Sequence, residues 1–178
     1  MAGARIDLPD IVAAQLARGW AVVSVDYALA PVHRFPEPVR DADLAVRWVR
    51  RHAGSVDLVA GVEARGFVVG AALAHALGVG FVPVRKAGKL PGQTVSISYD
   101  LEYGSAEIEV HADAFVGGER VLLVDDVLAT GGTASAAWDL LEQVGADVVG
   151  FECVVELAFL GGRGRMGSRR VGALLVVP

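Results

Sequence analysis

Cysteine is nearly absent from this chain of 178 residues, since Cys153 is the only one. A single cysteine excludes an intramolecular disulfide and fits a reducing compartment, so we predict a cytoplasmic location. Cys153 lies in the apolar run 148–155, which indicates a small core residue rather than a reactive thiol. His52, His75 and His111 lack ligand-like spacing, so no metal site built from side chains is predicted.

The sequence also lacks an excess of positive charge and a clear membrane-spanning segment. The net charge of −5 argues against a nucleic-acid partner held by bulk charge, and residues at the start of the chain show no signal-peptide pattern. Residues 66–84 are 19 positions without a charged side chain, close to membrane-spanning length. Because glycines at 78 and 80 and Pro83 interrupt this stretch, a helix followed by a buried strand explains it better, and no membrane association is predicted.

The most informative stretch is residues 121–133. An apolar run at 121–124 is typical of a strand buried on both faces, and two aspartates follow it directly. Small residues come next, and apolar spacing over 134–144 predicts a helix that ends at Gly145. Glycines at a helix start let the backbone approach an anion, and the free N–H groups there point at it. We therefore predict a phosphate cradle, with two carboxylates beside it that accept hydrogen bonds from the vicinal hydroxyls of a ribose phosphate.

This segment resembles the phosphoribosyl pyrophosphate binding motif of the type I phosphoribosyltransferases. The resemblance lies in an apolar strand, an acid pair and a small-residue loop, which are here Asp125, Asp126, Ala129, Thr130, Gly131, Gly132 and Thr133. It implies that the two acids act in catalysis by holding the ribose hydroxyls and that the loop binds the 5′-phosphate. An ordinary strand-to-helix turn with a solvated acidic pair is the alternative.

Both lysines of the chain fall in one loop. Lys86 and Lys89 lie there beside Arg85, although 16 residues of the chain are lysine or arginine. Compact ammonium groups in a loop with glycine and proline suggest a binding site for pyrophosphate. A solvated basic turn is the competing interpretation.

A second strand, loop and helix unit is predicted upstream, with a strand at 56–62 and a helix at 68–77. Over residues 56–163 the chain resembles the adenine phosphoribosyltransferases, in which this turn is the pyrophosphate loop. Arg65 matches the arginine of that loop, so the resemblance assigns it to substrate binding. An ion pair between Arg65 and Glu63 is the alternative.

A hairpin is predicted next. Residues alternate in polarity over 96–99 and 106–110, which indicates two antiparallel strands. By the resemblance, the connection between them is a flexible loop that closes over the substrates, and its characteristic run is Leu101, Glu102, Tyr103 and Gly104. Similarity nominates Glu102 for catalysis and places Tyr103 in substrate binding. Such a lid would keep water from an oxocarbenium-like ribose.

The first 55 residues depart from the adenine enzymes. Residues 19–53 resemble a fragment of the hormone-sensitive-lipase-like esterases, members of the α/β-hydrolases. The chain nevertheless contains neither the His-Gly-Gly-Gly loop nor the Gly-x-Ser-x-Gly elbow that an esterase needs. We predict an atypical N-terminal segment at 1–55, in which an amphipathic helix at 39–53 covers one face of the sheet, and a phosphoribosyltransferase domain at 56–178.

The predicted fold is α/β, a type I phosphoribosyltransferase-like (Rossmann-like) sheet that is mostly parallel, is flanked by helices and carries an antiparallel flexible-loop hairpin. The resemblance implies transfer of 5-phosphoribosyl from phosphoribosyl pyrophosphate to adenine, with Mg²⁺ bound mainly through the pyrophosphate, in a homodimer. Glu156, Leu157 and residues 160–163 are similar to a pattern that borders the purine pocket. Because the altered N-terminus lacks the family's purine-pocket segment, the alternative is a non-catalytic phosphoribosyl pyrophosphate or nucleotide-binding protein, or a fusion remnant.

Overall fold

A computed structural model describes residues 56–100 and 104–178 of the protein. In chain order these residues form β1 (Leu58–Val62), α1 (Arg65–Leu77), β2 (Gly80–Lys86), β3 (Thr94–Asp100), β4 (Ser105–His111), β5 (Arg120–Leu128), α2 (Gly132–Gln143), β6 (Asp147–Leu157), a 3₁₀ turn (Ala158–Leu160), α3 (Gly162–Met166) and β7 (Val171–Val177). No helix in this described part is both long enough and apolar enough to cross a membrane. The uncharged stretch 66–84 forms a helix followed by a strand, as predicted.

The strands form one sheet in the order β3-β4-β2-β1-β5-β6-β7. The pairs β1–β2, β1–β5, β5–β6 and β6–β7 are parallel, whereas β4 pairs antiparallel with both β2 and β3. The hairpin predicted from alternating polarity is therefore the β3–β4 pair at one edge. The mostly parallel sheet with helices on its faces confirms the predicted fold class.

Side chains of β5 alternate between two cores. Val121 and Leu123 point to one face and pack with apolar residues of α2, including Leu140. Leu122 and Val124 point to the other face and pack with Leu73 and its neighbours on α1. All four β5 residues are at most 3% exposed, so the apolar run is buried on both faces, as predicted.

Two elements extend further than the sequence pattern indicates. β5 continues through the acid pair to Leu128, because its ladder with β6 goes on with Asp125 opposite Cys153 and Val127 opposite Val155. α1 begins at Arg65 rather than at residue 68, so the arginine belongs to the first helical turn. The strand at 20–25 and the helix at 39–53 that the sequence predicts lie outside the described residues.

Candidate active site

Two loops meet where the order of the sheet reverses. β1 and β5 are parallel neighbours, with Gly61 opposite Val124 near their carboxyl ends. From there the chain leaves in opposite directions, since α1 leads to β2 on one side of β1 and α2 leads to β6 on the other side of β5. Open α/β sheets bind ligands in the crevice at such a point. The fold thus brings the loop after β1 next to the loop after β5, as a site for one extended ligand requires.

Arg65 contacts the acid pair across this crevice. Its Nε lies 2.7 Å from Oδ2 of Asp126, and the Asp126 side chain is only 14% exposed. The backbone N–H of Asp126 donates a hydrogen bond of 2.8 Å to Oδ1 of Asp125. The predicted site residues at the start of α1 and near the end of β5 therefore lie together. The alternative partner for Arg65, Glu63, pairs instead with Arg85 and Lys89 of the basic loop, the segment 85–92. The first two residues of this segment, Arg85 and Lys86, belong to β2 and not to a loop as predicted.

Asp125 lies beneath the start of α1. A Cβ on Gly66 would stand 2.9 Å from Oδ1 of Asp125 and 3.0 Å from the carbonyl oxygen of Val124, so only glycine allows the helix to come this close. Burial raises the pKa of Asp125 to about 8, and the neighbouring carboxylate of Asp126 contributes in the same direction. Asp125 therefore holds its proton more tightly than an ordinary carboxyl group does.

This raised pKa predicts a pH dependence of stability. A carboxyl with a higher pKa in the folded than in the unfolded chain holds its proton more tightly when folded. Its stabilising contribution is complete below the unfolded pKa, near 3.8, and is lost as the pH rises through about 8. We expect the free energy of unfolding to fall between pH 5 and pH 8, by at most about 1.4 kcal/mol per pH unit from this group.

Chemical denaturation at pH 5, 6.5 and 8 measures this slope. Asp125→Asn removes the ionisable group, so its stability relative to the wild type should increase steadily with pH. A difference between the two proteins that stays constant over this range would contradict the proposed shift. Glu63 does not interfere, because its pKa is lowered to about 2 and its own contribution changes only below pH 4.5.

The phosphate cradle has the backbone that the sequence predicts. Gly131 adopts a left-handed conformation with φ of 78°, and α2 begins at the next residue without a side-chain cap or an acidic residue in its first turn. The first N–H groups of a helix have no partner within the helix, and the helix dipole adds positive potential there. The hydroxyl of Thr133 lies 3.1 Å from the hydroxyl of Tyr99. The end of β3 therefore contacts the cradle.

Helix α3 packs against the backbone of the cradle, a contact that no sequence motif indicates. A Cβ on Gly131 would stand 2.6 Å from the carbonyl oxygen of Gly162. A Cβ on Gly162 would in turn stand 2.2 Å from the carbonyl oxygen of Ala129. The two backbones are thus in direct contact, and both glycines are needed for it. Gly162 lies outside the recognisable phosphate motif but helps to set its shape.

Arg165 of α3 is a second residue near the cradle that the sequence pattern does not indicate. A Cβ on Gly132 would lie 3.6 Å from its Nη1 and 3.5 Å from the carbonyl oxygen of Asp100. Asp100 is the last residue of β3, so the end of this strand, after which the predicted lid follows in sequence, lies beside the cradle. Glu102 and Tyr103 lie outside the described residues, and their assigned roles stay predictions.

The basic loop converges on Glu63, in the loop after β1. Nζ of Lys89 lies 2.6 Å from Oε1 of Glu63, and Nε of Arg85 lies 3.4 Å from Oε2. The backbone N–H of Lys86 donates to the same carboxylate at 3.0 Å. The hydrogen bond from Lys89 is the main reason that the pKa of Glu63 is lowered to about 2. Two of the three predicted pyrophosphate cations, Arg85 and Lys89, therefore contact Glu63, which lies two residues before Arg65 at the same crevice.

An ion pair lies beyond the cradle at the end of β6. Only its acid is buried: the Glu156 side chain is 5% exposed, whereas that of its partner Arg163 is 49% exposed. Nη1 of Arg163 also donates to the carbonyl oxygen of Val171 at 2.8 Å. This pair fixes α3 against β6 and β7. Cys153 on β6 is 3% exposed, and burial raises its pKa to about 12, which confirms the prediction of a core residue.

Known proteins resemble this chain in sequence and in structure. The sequence model of the phosphoribosyl transferase domain family matches residues 32–166 of this chain. An adenine phosphoribosyltransferase of Salinispora arenicola is 64% identical over 129 residues, which are 71% of this chain and 69% of that protein.

Two solved adenine phosphoribosyltransferases show the same fold. The enzyme of Saccharomyces cerevisiae, crystallised with an imino-altritol bisphosphate and adenine, aligns with a TM-score of 0.72 and 43% identity over 78% of this chain and 79% of its own. That of Rhodothermus marinus aligns with a TM-score of 0.73 and 41% identity over 93% and 99% of the two chains. The comparisons give no support to the esterase-like resemblance of residues 19–53. Together with the crevice, they place this chain in the phosphoribosyl transferase family.

Proposed function

We propose that this protein is an adenine phosphoribosyltransferase of purine salvage, a pentosyltransferase that makes AMP and pyrophosphate from adenine and phosphoribosyl pyrophosphate. One observation carries the proposal: an acid pair, a phosphate cradle and a cluster of cations border a single crevice in a chain that is 64% identical to an enzyme of that name. The donor substrate carries a ribose diol, a 5′-phosphate and a pyrophosphate. Each of these groups has a complementary set of side chains or N–H groups.

The proposed roles follow this division of the site. Asp125 and Asp126 accept hydrogen bonds from the ribose hydroxyls, and the loop 129–133 holds the 5′-phosphate with its backbone N–H groups. Arg65 and the cations of the basic loop (Arg85, Lys86 and Lys89) receive the pyrophosphate. Glu102 and Tyr103 act from the lid, as the family resemblance suggests.

In the proposed reaction a ring nitrogen of adenine attacks C1 of the ribose. The bond between C1 and the pyrophosphate oxygen breaks, its electron pair leaves with the pyrophosphate, and the purine gives up a proton. Positive charge develops on the ribose next to the acid pair, and negative charge develops on the leaving group next to the cations. Groups already fixed in these places lower the barrier because they need no rearrangement during the step.

Mg²⁺ is proposed as the cofactor, held mainly by the pyrophosphate oxygens of the donor. Within 56–100 and 104–178 no three histidine, cysteine, aspartate or glutamate side chains gather as a potential cage. A cation that takes its ligands from substrate phosphates, water and one or two carboxylates is typical of Mg²⁺. Asp126, which contacts Arg65 in this crevice, is the carboxylate proposed to coordinate the cation together with these oxygens. When bound, the cation would neutralise charge on the leaving pyrophosphate.

The adenine pocket, the homodimer and the cytoplasmic location are further parts of the proposal. Residues 156–163 follow the pattern that borders the purine pocket in the family, and the pair of Glu156 and Arg163 gives that border a fixed position. The division between a segment at 1–55 and a domain at 56–178 is likewise proposed, from the departure of the first 55 residues from the sequence pattern of the adenine enzymes; the family model itself matches from residue 32.

A product assay tests the function directly. The purified chain is incubated with phosphoribosyl pyrophosphate, Mg²⁺ and each of adenine, hypoxanthine, guanine and xanthine. Formation of AMP from adenine, well above formation of any other nucleotide, is expected. Calorimetric titration with the donor alone separates catalysis from binding. Donor binding without any nucleotide product would overturn the enzyme assignment and favour the non-catalytic binding protein.

A further inference from the structure

Two carboxylates in the described part of the chain are almost fully buried, Glu109 on β4 and Glu156 on β6, each with 4% of its surface exposed. Glu156 is neutralised by the guanidinium of Arg163. Glu109 forms no ion pair with any residue in 56–100 or 104–178. Burying a carboxylate without a cation is costly unless hydrogen bonds replace its water. The partners of Glu109 therefore indicate its role.

The basic loop supplies these hydrogen bonds through its backbone. The N–H groups of Lys89 and Leu90 both donate to Oε1 of Glu109, each at 2.8 Å. The N–H of Leu90 is the main reason that the pKa of Glu109 is lowered, and the N–H of Gly88 and the hydroxyl of Thr94 act in the same direction. Consecutive N–H groups around one anion form a nest. Here the anion belongs to the protein and holds the loop.

Lys89 is consequently fixed at three points. Its N–H is held by Glu109, its carbonyl oxygen accepts a hydrogen bond of 3.0 Å from Nη1 of Arg85, and its Nζ reaches Glu63 at 2.6 Å. Arg85 also stands directly opposite Glu109 in the pairing of β2 with β4. Any shift of the turn at residues 88–90 would therefore move the Lys89 ammonium relative to the crevice.

We propose that Glu109 is a positioning residue for pyrophosphate binding: its buried carboxylate orients the turn at residues 88–90 so that Lys89 meets the anion. This inference rests on the proposed function, because it takes the basic loop as the pyrophosphate site. Glu109 acts through Lys89 and does not touch the substrate. A glutamine would keep the shape and one acceptor oxygen for the N–H groups of Lys89 and Leu90, but it would lose the negative charge and replace the second oxygen with an N–H₂ donor.

Steady-state kinetics of Glu109→Gln in the full chain test the proposal. We expect the KM for phosphoribosyl pyrophosphate and the inhibition constant of pyrophosphate to rise about tenfold, as the loss of charge-assisted hydrogen bonds suggests. The KM for adenine should change less than about twofold, because the loop is proposed to bind pyrophosphate and not the purine. The kcat is expected to fall, because Lys89 also faces the charge that develops on the leaving pyrophosphate. A purely structural defect would lower the active fraction without this split.

Glu107→Gln is the matched control. Glu107 lies on the same strand and the same face, but its carboxylate accepts a hydrogen bond from Ser96 Oγ at 2.6 Å rather than from the basic loop. All kinetic constants of this variant should stay near those of the wild type. If Glu109→Gln does not fold, Glu109→Asp, which keeps the charge but shortens the side chain, must show the same selective rise in donor KM.

A double-mutant cycle tests whether Glu109 acts through Lys89. In a Lys89→Ala background, Glu109→Gln should have little further effect on donor KM. An equal effect in both backgrounds, or an unchanged donor KM in the single variant, would overturn the inference. If the wild type makes no AMP, the proposed function fails instead. Titration of inorganic pyrophosphate then decides for Glu109, since about tenfold weaker binding by Glu109→Gln supports the inference and equal binding refutes it.

Discussion

Asp125→Asn is expected to lower kcat on the order of 10²- to 10³-fold, the loss typical of removing one preorganised electrostatic contact in a transition state. The amide keeps the shape of the side chain in its buried position beside Gly66. It cannot be ionised, whereas the Asp125 carboxyl, whose pKa is raised to about 8, loses its proton as the pH rises and can then stabilise the positive charge developing on the ribose. The full loss is therefore expected above pH 8. Initial rates of AMP formation at saturating adenine and donor measure the effect.

The loss should come without a loss of stability. At pH 8 the variant no longer has to bury a second negative charge beside Asp126, so its melting temperature is expected to equal or exceed that of the wild type. Asp147→Asn is the control, since this aspartate begins β6 with a side chain that is 58% exposed, and its loss should leave turnover unchanged. Wild-type turnover by Asp125→Asn would count against the proposed site.

Gly162→Ala should disrupt the phosphate cradle from a distance of more than 30 residues in sequence. Its Cβ would stand 2.2 Å from the carbonyl oxygen of Ala129 and 3.0 Å from the backbone nitrogen of Gly131. Both neighbours are backbone atoms, so the loop itself has to move. Overpacking of this kind costs about 1–3 kcal/mol, which corresponds to a fall in kcat/KM for the donor of roughly 5- to 160-fold if the displacement falls on the bound 5′-phosphate.

Gly164→Ala supplies a control in the same helix. A Cβ at this position meets no atom within 4 Å, and alanine favours a helix more than glycine does. Its kcat/KM should match the wild type and its melting temperature should not fall. Thermal unfolding with and without the donor separates the effects, because a displaced cradle reduces the rise in melting temperature that the donor causes. Equal donor affinity in the two glycine variants would show that α3 does not shape the cradle.

The sequence predicts the parts of this site that depend on neighbouring residues. The run 121–124, the acid pair and the glycines of the cradle form one local pattern, so strand, loop and helix follow in the expected order. The polarity of Asp125 and Asp126 suggested that the strand would end before them. The ladder with β6 continues through both, because each backbone finds partners whatever side chain it carries.

Contacts between distant segments could not be predicted in this way. The sequence suggests Glu63 as a partner of its near neighbour Arg65, whereas the parallel pairing of β1 with β2 brings Lys89 to it from 26 residues further on. Gly162 belongs to a pattern assigned to the purine pocket and not to the cradle, and Glu109 carries no motif, since a glutamate in an alternating strand is common. Their importance follows only from the backbone atoms that the fold places against them.

In the proposed pyrophosphate site, the carboxylate of Glu63 already pairs with two of the cations. An incoming anion therefore has to displace this carboxylate from Lys89 and Arg85 before it can bind them. A chloride or a lone carboxylate offers no more charge than the group it would replace. A polyanion with several oxygens offers more, and the exchange favours it. We therefore expect the proposed pyrophosphate site to favour polyanions over anions of lower charge.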